Sequence, residues 1–179
     1  MNPAAIQEVW LFSGIPGSGK TTTARRLAER LERSAHIEGD RLFDLVVSGK
    51  VGPGELPSDE ADCQIEMNID NQCSLARRCA DAGFVPLIDF VVADRSGLDR
   101  YRSNLPGFEI RLVVLVPDPA VALERDRVRP EKTVAAQWVH LDAQIRREFD
   151  GLGVWIDNAQ LSVDEVVDRL LDGGSNGIS

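Results

Sequence analysis

Residues 14–21 read Gly14-Ile15-Pro16-Gly17-Ser18-Gly19-Lys20-Thr21, with Thr22 next. Glycines at this spacing let successive backbone N–H groups curl around an anion where a Cβ would clash. The stretch follows an apolar run and opens a segment of helical period, so a helix N-terminus adds its partial positive charge. It meets the pattern G-x-x-x-x-G-K-[ST] at every defined position. That chemistry is nucleotide binding: Lys20 is placed to reach the β and γ phosphates of ATP, and the Thr21 hydroxyl to hold Mg2+. The glycines do not fall as G-x-G-x-x-G, which sets aside a dinucleotide site.

Ligands of open α/β sheets sit beyond the carboxyl ends of strands, and two acids are expected there. Asp40 ends the run 35–40 and is read as the base that takes a proton from an acceptor hydroxyl. Its alternative is the N-cap of a helix starting at Arg41. Asp89 lies inside the apolar run 84–92, where an acid needs a partner or a cation. It is read with Thr21 as a metal ligand, direct or through water, against the alternative of an acid capping a turn. Arg125, Arg127, Arg129 and Lys132 crowd residues 123–133 before a proline-marked break. Arginines there suit a mobile lid that neutralises a transferring phosphoryl group, and Arg125 and Arg129 are the pair selected. A solvated helix face, with Glu124 and Asp126 pairing the arginines, is the alternative. Arg146 and Arg147 read as surface charge and Trp138 as core. Arg95 and Tyr101, following the third strand, are further candidates for the lining of an acceptor pocket, outside the selected site residues. His36 and His140 receive no catalytic role.

Apolar runs bounded by turn residues alternate with helical segments, the pattern of a parallel α/β sheet. Strands are expected at 9–14, 35–40, 84–92, 110–116 and 153–157. Ala24, Leu27, Ala28 and Leu31 share one face of a helix over 21–33. Val134, Trp138, Leu141, Ile145 and Phe149 form a second apolar stripe. Ser162 and Glu165 make a capping box for the last helix, with Leu161 and Val166 as its staple and Gly173 at its end. A Gly-, Pro- and acid-rich stretch over 48–63 reads as a long loop leading into a helix over 60–82.

One domain over 1–179 fits the length, with an acceptor-side insertion at about 48–72, a lid at about 127–135 and a frayed tail at 173–179. Twenty Lys plus Arg against 29 Asp plus Glu give a net charge of −9, which repels a phosphate backbone and disfavours nucleic acid as a partner. The acids Glu55, Asp59, Glu60, Asp62 and Glu66 read as a solvated face or as a match for a cationic acceptor. The three cysteines, Cys63, Cys73 and Cys79, form no CxxC pair and read as reduced thiols. With no basic and apolar leader and no apolar run of about 18 residues, the chain reads as a soluble cytoplasmic protein. Monomer and homodimer are both open.

With these pieces in place the chain resembles the small P-loop kinases of the nucleoside-monophosphate-kinase type, and among them the chloramphenicol-phosphotransferase-like and zeta-toxin-like branch of AAA-type P-loop phosphotransferases. The motifs carrying the resemblance are GIPGSGKTT, IEGDRL, LIDF, VPDPAVALERDRVRP and WIDNAQLSVDEVVDRL, which span nearly the whole chain. It implies a three-layer P-loop NTPase fold with a five-stranded parallel sheet in order 2-3-1-4-5. It also implies Asp40 as base, Arg125 and Arg129 framing nucleotide and lid, and Asp157, Asn158 and Ala159 near the adenine. Phe90 stands where that branch often has a second acid, and no second basic cluster is seen to grip an acceptor phosphate. The expected activity is transfer of the γ-phosphoryl of Mg-ATP to a hydroxyl of an antibiotic-, nucleoside- or sugar-like molecule. The alternatives are a nucleotide-dependent regulatory switch and a polynucleotide 5′-hydroxyl kinase.

Overall fold

The computed structural model describes residues 7–128 and 135–173. The strands are β1 (Gln7–Ser13), β2 (Ser34–Glu38), β3 (Val85–Asp89), β4 (Phe108–Leu115) and β5 (Val154–Ile156). All pairings are parallel, in the order β2-β3-β1-β4-β5, as the resemblance implies. The helices are α1 (Lys20–Arg30), α2 (Gly39–Phe43), α3 (Ser58–Asp81), α4 (Arg95–Asn104), α5 (Pro119–Arg127), α6 (Ala135–Trp138), α7 (Leu141–Glu148) and α8 (Val163–Asp172).

Alternation along each strand sends successive side chains to opposite faces, and the two faces build two cores. Val9 and Leu11 of β1 join Ile88, Ile110, Leu112 and Val114 beneath α3, α4 and α7. Trp10 and Phe12 join Leu87, Val113 and Leu115 beneath α1 and α8, where Ala24, Leu27, Val166 and Leu170 are buried. Helix α8 carries the expected capping box between Ser162 and Glu165 and ends at Gly173.

Four expectations change. Strand β3 stops at Asp89, and residues 90–92 leave the sheet while staying half-buried or buried. The stretch 48–72 divides at Ser58: a loop over 44–57 leads into α3, which is itself the crossover from β2 to β3. The stripe expected over 134–149 is two short helices; Ala135 of α6 bonds to α5, whereas α7 buries Ile145 against the sheet. Trp138 is half-buried rather than core, because its ring lies over Gly54 of the 44–57 loop. Val134 and the tail beyond Gly173 lie outside the described residues. The acids Asp59, Glu60, Asp62 and Glu66 do form a solvated face of α3.

Cys63 is exposed, Cys79 intermediate and Cys73 buried, and all three thiols are free. Burial, with a smaller push from Asp70, raises the Cys73 thiol from 9.0 to about 12. It stays protonated in the fold while the unfolded chain ionises near 9.0, so stability falls as pH rises from there towards about 12. At about pH 8 a thiol reagent should label Cys63 readily and Cys73 only after unfolding; equal rates for both would contradict the packing of α3.

Candidate functional site

The β1–α1 connection emerges at the carboxyl edge of the sheet from its middle strand. Gly17 sits at φ +82, and a Cβ there would lie 2.1 Å from the Ala122 carbonyl oxygen. Only glycine lets the loop settle on α5. Lys20 begins α1 and folds back, its Nζ donating to the carbonyls of Gly14 at 2.8 Å and Ile15 at 3.1 Å. Ile15 and Ser18 are buried, Pro16, Gly19 and Thr21 half-buried, and Thr22 exposed.

Two further segments clasp this loop. Asn158, in the turn between β5 and α8, donates from Nδ2 to the Ser18 carbonyl at 2.9 Å. Arg125 of α5 donates in turn to the carbonyls of Asn158 at 2.9 Å and Ala159 at 3.4 Å. Asp157 is exposed, and its Oδ1 accepts from the Ala159 N–H at 3.0 Å. The fold therefore gathers Gly14 to Thr22, Arg125, Asp157 and Asn158, which sequence spacing alone leaves more than a hundred residues apart. The Arg125 guanidinium holds the 158–159 turn in this arrangement.

Asp40 is exposed in the first turn of α2. The N-cap of that helix is Glu38, so the reading of Asp40 as a cap is wrong; the strand ends two residues earlier than the sequence suggests. Asp89 closes β3, is 4% exposed, and stands in register with Phe12 and Glu38. The His36 Nε2–H donates to its Oδ2 at 2.9 Å, so His36 is the partner that the buried acid requires. The Thr21 hydroxyl and the Asp89 carboxylate are hard oxygen donors. Such a pair is the small protein share Mg2+ takes when phosphates and water supply the rest. Among the described residues no group of three His, Cys, Asp or Glu gathers into a fuller cage.

Arg129 and Lys132 lie outside the described residues. Arg127 pairs with Glu124 at 2.8 Å on the surface, as the alternative reading of that helix has it. Asp126 is 3% exposed and accepts from the Ala135 N–H at 2.8 Å, tying α6 to α5. Arg146 and Arg147 pair with Asp142 and Glu148 at the surface. Tyr101 is fully buried with its hydroxyl on Gln72, so it lines no pocket; its helix turns it into the core. Arg95 is exposed at the start of α4 and makes no ion pair among the described residues.

A family model described as an AAA domain, AAA_33, matches residues 9–148, well over half of the chain. The chain belongs to this AAA-domain family. No curated protein sequence matches it. Among solved structures it is similar to a sugar kinase from Janibacter sp. HTCC2649, at 19% identity and a TM-score of 0.72, covering 93% of each chain. The tunicamycin resistance protein of Deinococcus radiodurans aligns at 22% identity and a TM-score of 0.66, over 97% of this chain and 99% of that one. A gluconokinase from Sinorhizobium meliloti 1021 aligns at 21% and 0.63, over 94% and 91%. At these identities the likeness establishes the fold, that of the small P-loop kinases.

In this AAA-domain chain, sequence reasoning misses three features. His36 and Asp89 are 53 residues apart and give no local signal of their bond. Asn158, read near the adenine, also donates from its side chain to the Ser18 carbonyl of the glycine loop, a bond across 140 residues that spacing does not announce. Gln64, Asn68 and Gln72 are buried on one face of α3, and their four-residue spacing is the signal that was there to find. Replacing His36 by Phe strands the buried Asp89 carboxylate and should cost about 1–3 kcal/mol, read from urea unfolding. An unchanged midpoint would mean that the pair contributes nothing.

Proposed function

We infer that the chain is a small-molecule kinase that moves the γ-phosphoryl of ATP to an acceptor hydroxyl. The observation that carries this reading is the glycine loop Gly14–Thr21, clasped by Asn158 and Arg125, on the same sheet edge as Asp40 and Asp89. Backbone N–H groups of the loop and the α1 N-terminus cradle the phosphates, with Lys20 on the β and γ groups. Thr21 and Asp89 hold Mg2+, which offsets phosphate charge when bound. Asp40 takes the proton of the acceptor hydroxyl, the freed oxygen bonds to the γ-phosphorus, and the bond to the β-phosphate oxygen breaks as ADP leaves. Arg125 frames the adenine side with Asp157 and Asn158, and Arg129 serves from the lid at about 127–135. One domain holds both halves of the site.

The acceptor is small and not a nucleic acid, since a net charge of −9 opposes a phosphate backbone. Among the described residues no helix is long and apolar enough to cross a membrane, and three free thiols suit the reducing cytoplasm. One observation favours a second reading, a nucleotide-dependent switch acting on a protein: Leu45, Val47 and Leu56 stand exposed on the 44–57 loop.

The test incubates purified protein with Mg-ATP and a panel of gluconate, neutral sugars, nucleosides and hydroxylated antibiotics, following ADP and product mass. One compound should gain a phosphoryl group. Lys20→Ala should abolish the transfer, and Asp40→Asn should lower turnover by about 10²–10⁴. Slow ADP release that no compound alters would favour the switch. If the acceptor is an acid such as gluconate, Arg95→Ala should weaken its binding.

A further inference from the structure

Asp89 is the buried acid of the site, and its two oxygens are unequally used. The His36 Nε2–H donates to Oδ2 at 2.9 Å, while Oδ1 accepts no hydrogen bond among the described residues. An ionised carboxylate accepts through both oxygens, so one is occupied here and the other is left over. Both side chains are almost wholly buried, and the bond joins two neighbouring strands.

The place of the remaining oxygen follows from the register. His36 stands opposite Leu87, and Glu38 opposite Asp89, which is itself opposite Phe12. Side chains alternate along a strand, so Asp89 shares the sheet face of Leu87 and Phe12, the face that α1 covers. Helix α1 opens with Lys20 and Thr21 at the carboxyl edge, where β3 ends at Asp89. The acid therefore stands at the phosphate-loop end of that face, and the imidazole reaches it from the edge strand β2.

The neighbouring arginines are held elsewhere. Arg25 donates to one oxygen of Glu38 at 2.6 Å and Arg41 to the other at 3.4 Å. A bidentate arginine would occupy both oxygens of Asp89. A single imidazole N–H instead orients the carboxylate and leaves one oxygen for a metal. His36 also lines a polar groove of about 340 Å³ between α1 and β2, with Arg25, Glu29, Ser34 and Glu38, so exchanging it for an amide does not open the apolar core.

Resting on the kinase reading above, with Thr21 and Asp89 as Mg2+ ligands, we propose that His36 is a positioning residue of the metal site. It holds Oδ2 of Asp89 and leaves Oδ1 as the ligating oxygen.

The experiment measures Mn2+ affinity in the ADP complex by electron paramagnetic resonance. A glutamine amide nitrogen falls where Nε2 of the histidine was, whereas an asparagine amide falls where Nδ1 was and stops short of Asp89. His36→Asn should weaken Mn2+ binding at least about tenfold and His36→Gln less than about threefold, with ADP affinity in EDTA unchanged in both. Asp89→Asn should lose at least as much, and adding His36→Asn to it should lose nothing further. A second measurement needs no variant: in wild type the His36 Nε2–H proton resonance should shift when Mg2+ joins the ADP complex and stay in place with ADP and EDTA. The chain has two histidines, so His140 serves as the reference. Wild-type Mn2+ affinity in His36→Asn, equal losses in the Asn and Gln variants, or a resonance indifferent to Mg2+ would overturn the proposal and leave the kinase reading intact. Asp89→Asn at wild-type affinity would overturn the metal role of Asp89 and the proposal with it. Failure of wild type to bind Mn2+ with ADP would overturn the kinase reading as well.

Discussion

Between Gly17 and Ala122 there is room for a hydrogen atom and not for a carbon. A side chain at position 17 would meet the Ala122 carbonyl at 2.1 Å, so the phosphate loop and α5 pack backbone against backbone. That approach brings α5 close enough for Arg125 to reach the Asn158 carbonyl, and Asn158 to reach Ser18. Loop, helix and β5–α8 turn thus form one hydrogen-bonded unit in which each part fixes the next. Gly17→Ala would wedge α5 away and slacken the whole clasp, not only the loop.

The opposite side of the edge is organised differently. There the 44–57 loop and α2 rest on the amides of α3, through Gln64 to residues 49 and 51 and through Asn68 to Gly39. Hydrogen bonds of this kind hold a turn in place yet release it more easily than close-packed backbone does. On the kinase reading proposed above, the rigid side would hold the nucleotide and the more yielding side the acceptor.

Much of this was legible because buried parallel strands are near-continuous apolar runs, and the loop between β1 and α1 has a spacing with one evident use. Where reading failed, the pattern reported burial without saying what was doing the burying. Phe90 and Val92 read as strand, but they are buried by packing after the chain has left the sheet, with Val92 bonding to Ser13. Tyr101 read as pocket lining and is core; Trp138 read as core and covers a loop. The amides of α3 drew no reading, because a polar side chain in a helix does not announce burial, and the His36–Asp89 bond joins neighbouring strands that are distant in the chain.

The strand order also sets a timetable for synthesis. β1 is made first and sits in the middle, but both of its partners come much later, β3 ending at Asp89 and β4 at Leu115. At about 5–20 residues per second, the apolar run of β1 waits roughly several seconds or more outside the ribosome before its first partner appears. During that interval α1 can cover only one of its two faces. Val9, Trp10, Leu11 and Phe12, all buried in the finished sheet, are the apolar residues that stay without a strand partner for that interval.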